Sequence, residues 1–426
     1  DIKDALLITS GTADLTNTLN TGSTNAGTGT ITILSTIDGV TPGSGTNHDD
    51  HLDITSGVGT VTISGDIGAA TSLTTLDINA SSGTGGISIQ DVGDGDTTGV
   101  TGVAKIGNSN TSSLSGGTTL KFGGGFTYAG NFALGQNYTT SGGDVNILGN
   151  LTTSGTFSID SGGGDITVTG NVVGSAATNT ITLTKGTGTG TTITVGGNIG
   201  AQTGFASNLK SVTLVGDTAI NLGGDISTST SAGGAVQITG PVTLNADVTI
   251  DADNASNTTV TLSSTSTVNS DSTERDLYIK TDSGKITLDA TIGNSAALGS
   301  LSINNLSTPT GDIDLVGLAG VATSAAIGNG STNLITLDGT TYTTAGTQTY
   351  TTATGDKIVF SNTANTTITT SGADVGFVGG NVKLKEDANL TITTGGSSAG
   401  NISFGATLKG DTSTATKFSD VSLTTG

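Results

Sequence analysis

Two groups of side chains in this sequence have the residue types of a metal site. The first is the run Asn47-His48-Asp49-Asp50-His51, which holds both histidines of the chain and two carboxylates. Imidazole and carboxylate groups suit zinc, copper or nickel. The spacing does not match the His-x-x-x-His pattern of a helical metal site, so two interpretations stay open: a metal site made by His48, Asp49, Asp50 and His51, or a polar loop.

The second group is a glycine-rich acidic turn that contains Asp91, Asp94 and Asp96. Calcium takes several oxygen ligands from flexible loops, and these carboxylates would supply them. The turn does not follow the tandem nonapeptide pattern of calcium-binding repeats, so solvated turn aspartates are the alternative. The sequence requires no cofactor, and calcium or another divalent cation is the candidate ligand.

Short strands that recur at a regular spacing must position these groups. In the segment 161–174, Ile166 and Val168 alternate with polar residues, which is typical of a strand with one buried face, and a Gly-Asn bend follows. Similar strands restart after about 26 or 27 residues, in the pairs Val61 and Ile87, Ile166 and Ile193, and Ile286 and Ile313. Three strands and three bends in each period predict an all-β parallel β-helix, a β-solenoid with about 27 residues per coil.

A solenoid grows by adding coils, so the length of the chain does not require several domains. No linker divides the sequence, and we expect residues 1–426 to form a single continuous β-solenoid. Loop-rich insertions near 39–51 and 91–115 interrupt the strand pattern.

Composition restricts the possible partners. The chain has 34 acidic and 13 basic residues and a net charge of −21. Nucleic-acid binding needs a basic surface, so no nucleic-acid partner is expected. No stretch of 18 or more apolar residues occurs, and no membrane insertion is expected. Cysteine is absent, which excludes disulfides and thiolate metal sites.

Many β-helices cleave polysaccharides, so enzyme activity has to be considered. Glycoside hydrolysis needs two carboxylates across the sugar. The chain has only two glutamates, Glu274 and Glu386, one arginine and no tryptophan, and Asp49-Asp50 lacks the companion motifs of pectin-type hydrolases. The sequence therefore favours a protein that is not an enzyme.

Threonine pairs on predicted strands raise the further alternative of an ice-binding protein. Thr-x-Thr occurs at 180–182, 192–194, 259–261, 367–369 and 391–393. Threonine is also a common β-former at exposed strand positions, and irregular loops between the pairs favour this simpler explanation.

The units IGAATSLTTLDIN (67–79) and IGNSAALGSLSIN (292–304), with the segment 340–372, resemble the repeats of filamentous-haemagglutinin-like and β-strand-repeat bacterial surface exoproteins. The resemblance is one of repeat style. It implies a right-handed parallel β-helix displayed outside the cell, with an adhesive or structural role. The chain lacks the N-terminal secretion module of two-partner systems, which leaves the export route open.

Coil ends of a solenoid present unpaired backbone groups, and neither end of this sequence has an evident cap. We therefore expect an extracellular structural protein at the cell surface, a subunit of a filament or sheath that assembles end to end. The alternative is a stalk segment of a large bacterial adhesin. The expected partners are further copies in a head-to-tail homopolymer, or host or biofilm surface glycans. A polysaccharide-active enzyme and an ice-binding protein rank behind both.

Overall fold

The computed structural model of this protein consists of β-strands and turns, without a helix in the part of the chain that it describes. The described residues are 2–8, 16–22, 29–40, 50–79, 84–93, 99–107, 114–115, 120–122, 125–128, 132–135, 137–140, 142–200, 209–229, 233–252, 256–263, 266–305, 309–396, 399–410 and 420–425. Within these ranges no helix is long and apolar enough to span a membrane.

The chain forms two compact units, and each is described by itself. Unit 1 comprises Asp1–Leu209 and Leu214–Thr218, and unit 2 comprises Lys210–Thr213 and Ala219–Gly426. The strand β22, Ser211–Val215, has residues in both. The prediction of one continuous solenoid with insertions near 39–51 and 91–115 stays a prediction.

Unit 1 is built from short strands that pair in parallel with strands of the next turn. Its strands are β1 (Leu6–Ile8), β2 (Thr16–Asn20), β3 (Ile31–Ile33), β4 (Ile37–Gly39), β5 (His51–Thr55), β6 (Val61–Ile63), β7 (Thr75–Ile78), β8 (Ile87–Ile89), β9 (Val103–Ile106), β10 (Leu114–Ser115), β11 (Leu120–Phe122), β12 (Gly125–Tyr128), β13 (Phe132–Leu134), β14 (Tyr138–Thr140), β15 (Val145–Ile147), β16 (Leu151–Thr153), β17 (Thr156–Asp160), β18 (Ile166–Val168), β19 (Val172–Gly174), β20 (Thr180–Thr184) and β21 (Thr192–Val195). One side of unit 1 is the sheet β2-β5-β7-β9-β12-β15-β18-β21. The other sides include β3-β6-β8-β10, β11-β14-β17-β20 and β13-β16-β19.

Unit 2 has the same construction. Its strands are β23 (Ala219–Leu222), β24 (Ile226–Ser227), β25 (Ala235–Thr239), β26 (Val242–Leu244), β27 (Val248–Ala252), β28 (Thr259–Leu262), β29 (Thr267–Ser270), β30 (Leu277–Thr281), β31 (Ile286–Leu288), β32 (Thr291–Ile292), β33 (Leu301–Ile303), β34 (Ile313–Leu315), β35 (Ala325–Ile327), β36 (Leu334–Leu337), β37 (Thr341–Thr343), β38 (Gln348–Thr351), β39 (Lys357–Phe360), β40 (Asn365–Thr369), β41 (Val375–Val378), β42 (Asn381–Leu384), β43 (Asn389–Thr394), β44 (Ile402–Phe404), β45 (Leu408–Gly410) and β46 (Val421–Thr425). Its three sides are β25-β28-β31-β34-β36-β39-β42-β45, β24-β27-β30-β33-β35-β38-β41-β44, and β23-β26-β29-β32 followed by β37-β40-β43-β46. Leu318 bridges Ile292 and Tyr342 and so joins the two parts of the third side.

Strand register confirms the predicted all-β parallel β-solenoid and its repeat. Val61 pairs with Ile87, Ile166 with Ile193 and Ile286 with Ile313, which are the three pairs of restarts in the sequence. Coil length varies around this period among the described pairs, from 18 residues between Leu120 and Tyr138 to 35 between Thr16 and His51.

The alternation of residues along each strand builds the core. Most strands show a buried residue, a half-exposed residue and a buried residue in succession, and the buried positions are Ile, Val or Leu. Because paired strands keep their register, these side chains stack in columns, for example Val145, Ile166 and Ile193. In unit 2 the columns include aromatic rings: Tyr350 stacks on Phe377, and Phe377 on Phe404, with ring centroids 5.4 and 5.0 Å apart.

Candidate functional site

Two residues of the first group of candidate metal ligands are described, the buried Asp50 and the half-exposed His51. His48 and Asp49 lie outside the described residues. Asp50 is buried, and its carboxylate accepts a hydrogen bond of 2.8 Å from the amide of Val40. A Cβ atom at Gly39 would lie 2.6 Å from this carboxylate, which explains the glycine. Asp50 therefore holds the backbone at the end of β4, at Gly39 and Val40.

His51 begins strand β5 and lies on the half-exposed face of that strand. Its Nδ1 atom is 2.6 Å from the hydroxyl of Thr75, the residue that pairs with it on the next coil. This contact links two coils through their side chains. Asp50 and His51 thus have separate partners, and the metal site proposed for this loop stays a prediction.

The second group is described in part. Asp91 is half-exposed, and its carbonyl oxygen accepts a hydrogen bond of 2.8 Å from the amide of Ile67. Asp94 and Asp96 lie outside the described residues. In the described ranges, no group of three or more histidine or acidic side chains could hold a metal ion. The calcium site of this turn stays a prediction.

A charged row lies beside His51 on the outward face of unit 1. Asp53, Asp77 and Lys105 occupy equivalent positions on β5, β7 and β9. Burial raises the pKa of Asp77, Asp53 raises it further, and Lys105 and His51 oppose the rise. Because the pKa of Asp77 is raised on balance, keeping this carboxylate charged in the folded protein costs free energy.

Many turn aspartates and asparagines bind the backbone of the next coil. Asn150 accepts a hydrogen bond of 2.8 Å from the amide of Asn171, and Asn171 accepts one of 2.8 Å from the amide of Asn198. Asp144 and Asp165 act in the same way, on the amides of Asp165 and Thr192, at 2.9 and 2.7 Å. We call these contacts the turn ladders. These contacts give a structural role to polar residues that were not among the candidate site residues. An acidic residue immediately before a strand is the sequence signal that could have identified some of them.

An open groove of about 400 Å³ lies on unit 2, where Gly317, Gly339 and Thr340 line its floor. Asp338 is the carboxylate among its lining residues. It accepts a hydrogen bond of 2.7 Å from the hydroxyl of Ser361. Glycoside hydrolysis needs a second carboxylate across the sugar, and the lining of this groove does not provide one.

A regular array of threonines covers part of the third side of unit 2. We define the threonine array as the outward residues of β37, β40 and β43, which are Thr341, Thr343, Thr367, Thr369, Thr391 and Thr393. They form two rows in register, Thr341 with Thr367 and Thr391, and Thr343 with Thr369 and Thr393. On β46, Ser422 and Thr424 continue these rows.

The last described turn of unit 2 leaves its core columns uncovered. Val421 and Leu423 of β46 continue the columns of Leu390 and Ile392. Leu390 and Ile392 are 1% and 0% exposed, whereas Val421 and Leu423 are 40% and 49% exposed. Phe404, which stacks on the buried ring of Phe377, is only half-buried. We call this surface the open end.

In comparisons with protein-family models, with curated proteins and with solved structures, nothing matches this chain. The fold itself defines the class: a repeat protein built as a parallel β-solenoid. The stacked side chains of its coils, rather than a single pocket, are its main chemical feature.

Proposed function

We propose that this protein is an extracellular structural protein, a subunit of a cell-surface filament or sheath whose copies stack end to end. One observation carries the proposal, the open end of unit 2. Val421, Leu423 and Phe404 occupy core columns but are not covered by a further turn of the described residues. We propose that another copy covers this surface; further coils of the same polypeptide are the alternative.

The backbone at the open end supports stacking in the same direction. Strands β44, β45 and β46 form its three sides, and within the described residues each has a partner strand on one edge only. A free edge presents N–H and C=O groups that another strand can bind. Three such edges around an apolar centre make a template for one more coil.

The first coil of unit 1 also has free strand edges and partly exposed core side chains among the described residues. Strands β1 and β2 also pair on one edge only among the described residues. Three side chains of this coil continue core columns of the next coil: Ile2 pairs with Ile33, Leu6 with Ile37 and Leu19 with Ile54. The three residues of the first coil are half-buried, whereas their partners are fully buried. Fully burying an exposed side chain of this size contributes about 1.5 to 3 kcal/mol. Association also costs translational and rotational freedom, so many such contacts must form together before two copies bind stably. A head-to-tail contact of this kind propagates into a fibre.

The resemblance of the repeat units at 67–79 and 292–304 to filamentous-haemagglutinin-like surface proteins supports a location outside the cell. The net charge of −21 also keeps a long assembly soluble. The proposed protein has a structural rather than catalytic role.

The test is electron microscopy and sedimentation of the full chain and of two variants with the same substitution. Leu423→Asp places a charge in the open end, and we expect it to abolish fibres. Leu148→Asp changes a leucine that is 54% exposed on unit 1, away from the core columns, and should leave fibres intact. Circular dichroism checks that both variants fold.

Two results would contradict the proposal: a wild-type chain that never forms fibres, or fibres that persist in Leu423→Asp. The first result, together with a longer polypeptide in the native material, would favour the stalk of an adhesin. Surface labelling of intact cells tests the extracellular location separately.

A further inference from the structure

We propose that the threonine array of unit 2 binds ice, through an ordered layer of water on its hydroxyl and methyl groups. This function is independent of end-to-end assembly. The inference depends on which Thr-x-Thr segments lie on neighbouring strands, and the strand pairing of the fold shows this.

Among the Thr-x-Thr segments of the sequence, 367–369 and 391–393 pair directly with one another. The segment 367–369 pairs with 391–393 on one edge and with Thr341 to Thr343 on the other. The segments at 180–182, 192–194 and 259–261 pair with mixed residues: Thr182 faces Ser158, Thr194 faces Thr167 beside Asp165, and Thr261 faces Gln237. The three strands of the threonine array thus carry threonine at both outward positions, in register, over three successive coils of the described residues.

The spacing of the array is set by the backbone. Neighbouring strands lie about 4.8 Å apart, and alternate residues along a strand about 6.6 Å apart. These two repeats are close to the spacings of water molecules on the prism faces of hexagonal ice. The two rows continue over three coils, and over a fourth with Ser422 and Thr424, so this spacing is repeated in two directions.

The threonines of these strands fall into two sets with different hydrogen bonding. Inward-facing Thr366 and Thr394 are buried and donate to the carbonyl oxygens of Gly339 and Gly400, at 3.0 and 2.7 Å. The six hydroxyls of the threonine array have no hydrogen-bond partner among the described residues. They are therefore available to water, whereas the inward set is fully used by the fold.

The array is also rigid and uncharged. Gln348 is buried beneath it and donates to the carbonyl oxygens of Tyr342 and Thr369, at 3.0 and 2.9 Å, which ties two coils of the array together. Threonine is β-branched, so its χ1 angle is restricted before water binds. The neighbouring outward residues Asn365 and Asn389 are uncharged and bond to each other at 2.8 Å. A fixed, neutral lattice loses little entropy when it orders water, which is what adsorption to ice requires.

The experiment measures thermal hysteresis and inhibition of ice recrystallisation with the full chain, and the ice faces to which a fluorescently labelled chain binds. Thr391→Tyr puts a bulky side chain into one row of the array, between Thr367 and Ser422. Thr336→Tyr is the matched control, because Thr336 lies at an outward strand position of the same unit between Asp314 and Val359.

We expect the wild-type chain and Thr336→Tyr to bind prism faces and inhibit recrystallisation, and Thr391→Tyr to lose most of both activities. Circular dichroism shows whether each variant keeps its β-structure. Thr391→Val, which keeps the shape of the side chain but removes the hydroxyl, should lose less activity than Thr391→Tyr. An inactive wild-type chain, equal losses in both tyrosine variants, or full activity in Thr391→Tyr would each overturn the proposal.

Discussion

Asp77 shows how a single residue can reduce the stability of the fold that holds it. It stands between Asp53 and Lys105 on the outward row of unit 1, and burial is the main reason that its pKa is raised. A carboxyl group with a raised pKa binds its proton more tightly in the folded than in the unfolded state. The contribution of Asp77 to stability is therefore greatest at low pH, and it falls as the pH rises above the ordinary carboxyl pKa of about 3.9.

We expect Asp77→Asn to increase the free energy of unfolding of unit 1 at pH 7 and to have no effect near pH 3, where the aspartate is already neutral. Urea unfolding at both pH values measures this. Lys105→Ala, which removes the favourable neighbour of Asp77, should act in the opposite direction at pH 7. A destabilised Asp77→Asn at pH 7 would mean that attraction to Lys105 outweighs burial.

At the scale of the element, the turn ladders hold one coil to the next. Asn171 accepts from the amide of Asn198 and donates from Nδ2 to Oδ1 of Asn150 at 3.2 Å. Asn171→Ala removes both contacts and leaves the Asn198 amide without its acceptor. We expect a loss of about 1 to 2 kcal/mol of local stability.

Hydrogen exchange followed by mass spectrometry measures that loss directly, since exchange of the Asn198 amide should become about tenfold faster for each 1.4 kcal/mol. Asn146→Ala is the control, because Asn146 lies at an outward strand position opposite Thr167 and has no side-chain hydrogen bond within the described residues. Unchanged exchange in Asn171→Ala would show that the backbone pairs hold the coil without the ladder.

The strands are the part of this architecture that the sequence predicts. A strand that buries alternate residues must repeat Ile, Val or Leu at period 2, so the restarts at Ile166 and Ile193 predicted a register pair that the structure has. Turns carry no such period, and coil length therefore departs from 27 residues without a sequence signal. The threonine array was hidden for the same reason: unequal turns decide which Thr-x-Thr segment stacks on which.

Asp50 and His51, the described members of the first candidate metal group, show a different limit of sequence reasoning. Asp50 and His51 are adjacent in sequence, but residues on a strand and its entry turn alternate between the inside and the outside. Adjacent ligands therefore acquire separate partners, the Val40 amide and the Thr75 hydroxyl. Ligand spacing alone does not account for this alternation.

At the scale of the whole molecule, charge and apolar surface act against each other. The chain carries a net charge of −21, which makes copies repel one another, while the open end exposes Val421 and Leu423 to a neighbour. Repulsion acts over about 10 Å at 0.1 M salt and over a shorter distance at higher salt, whereas apolar contact is not weakened by salt. Ionic strength should therefore decide which effect controls assembly.

We expect fibre formation by the full chain to increase as sodium chloride is raised from about 0.01 M to about 0.5 M, because screening reduces repulsion between the acidic subunits. Light scattering and sedimentation measure the assembled fraction, with Leu423→Asp as a variant that should stay unassembled at every salt concentration. Calcium chloride at equal ionic strength separates charge screening from calcium binding. An equal effect on assembly indicates screening alone, whereas a larger effect that a chelator reverses indicates that carboxylates bind calcium. Asp91, Asp94 and Asp96 are then the first residues to substitute. Fibres that dissolve as salt rises would show instead that the ends attract each other through opposite charges, and the apolar contact proposed for Val421 and Leu423 would have to be abandoned.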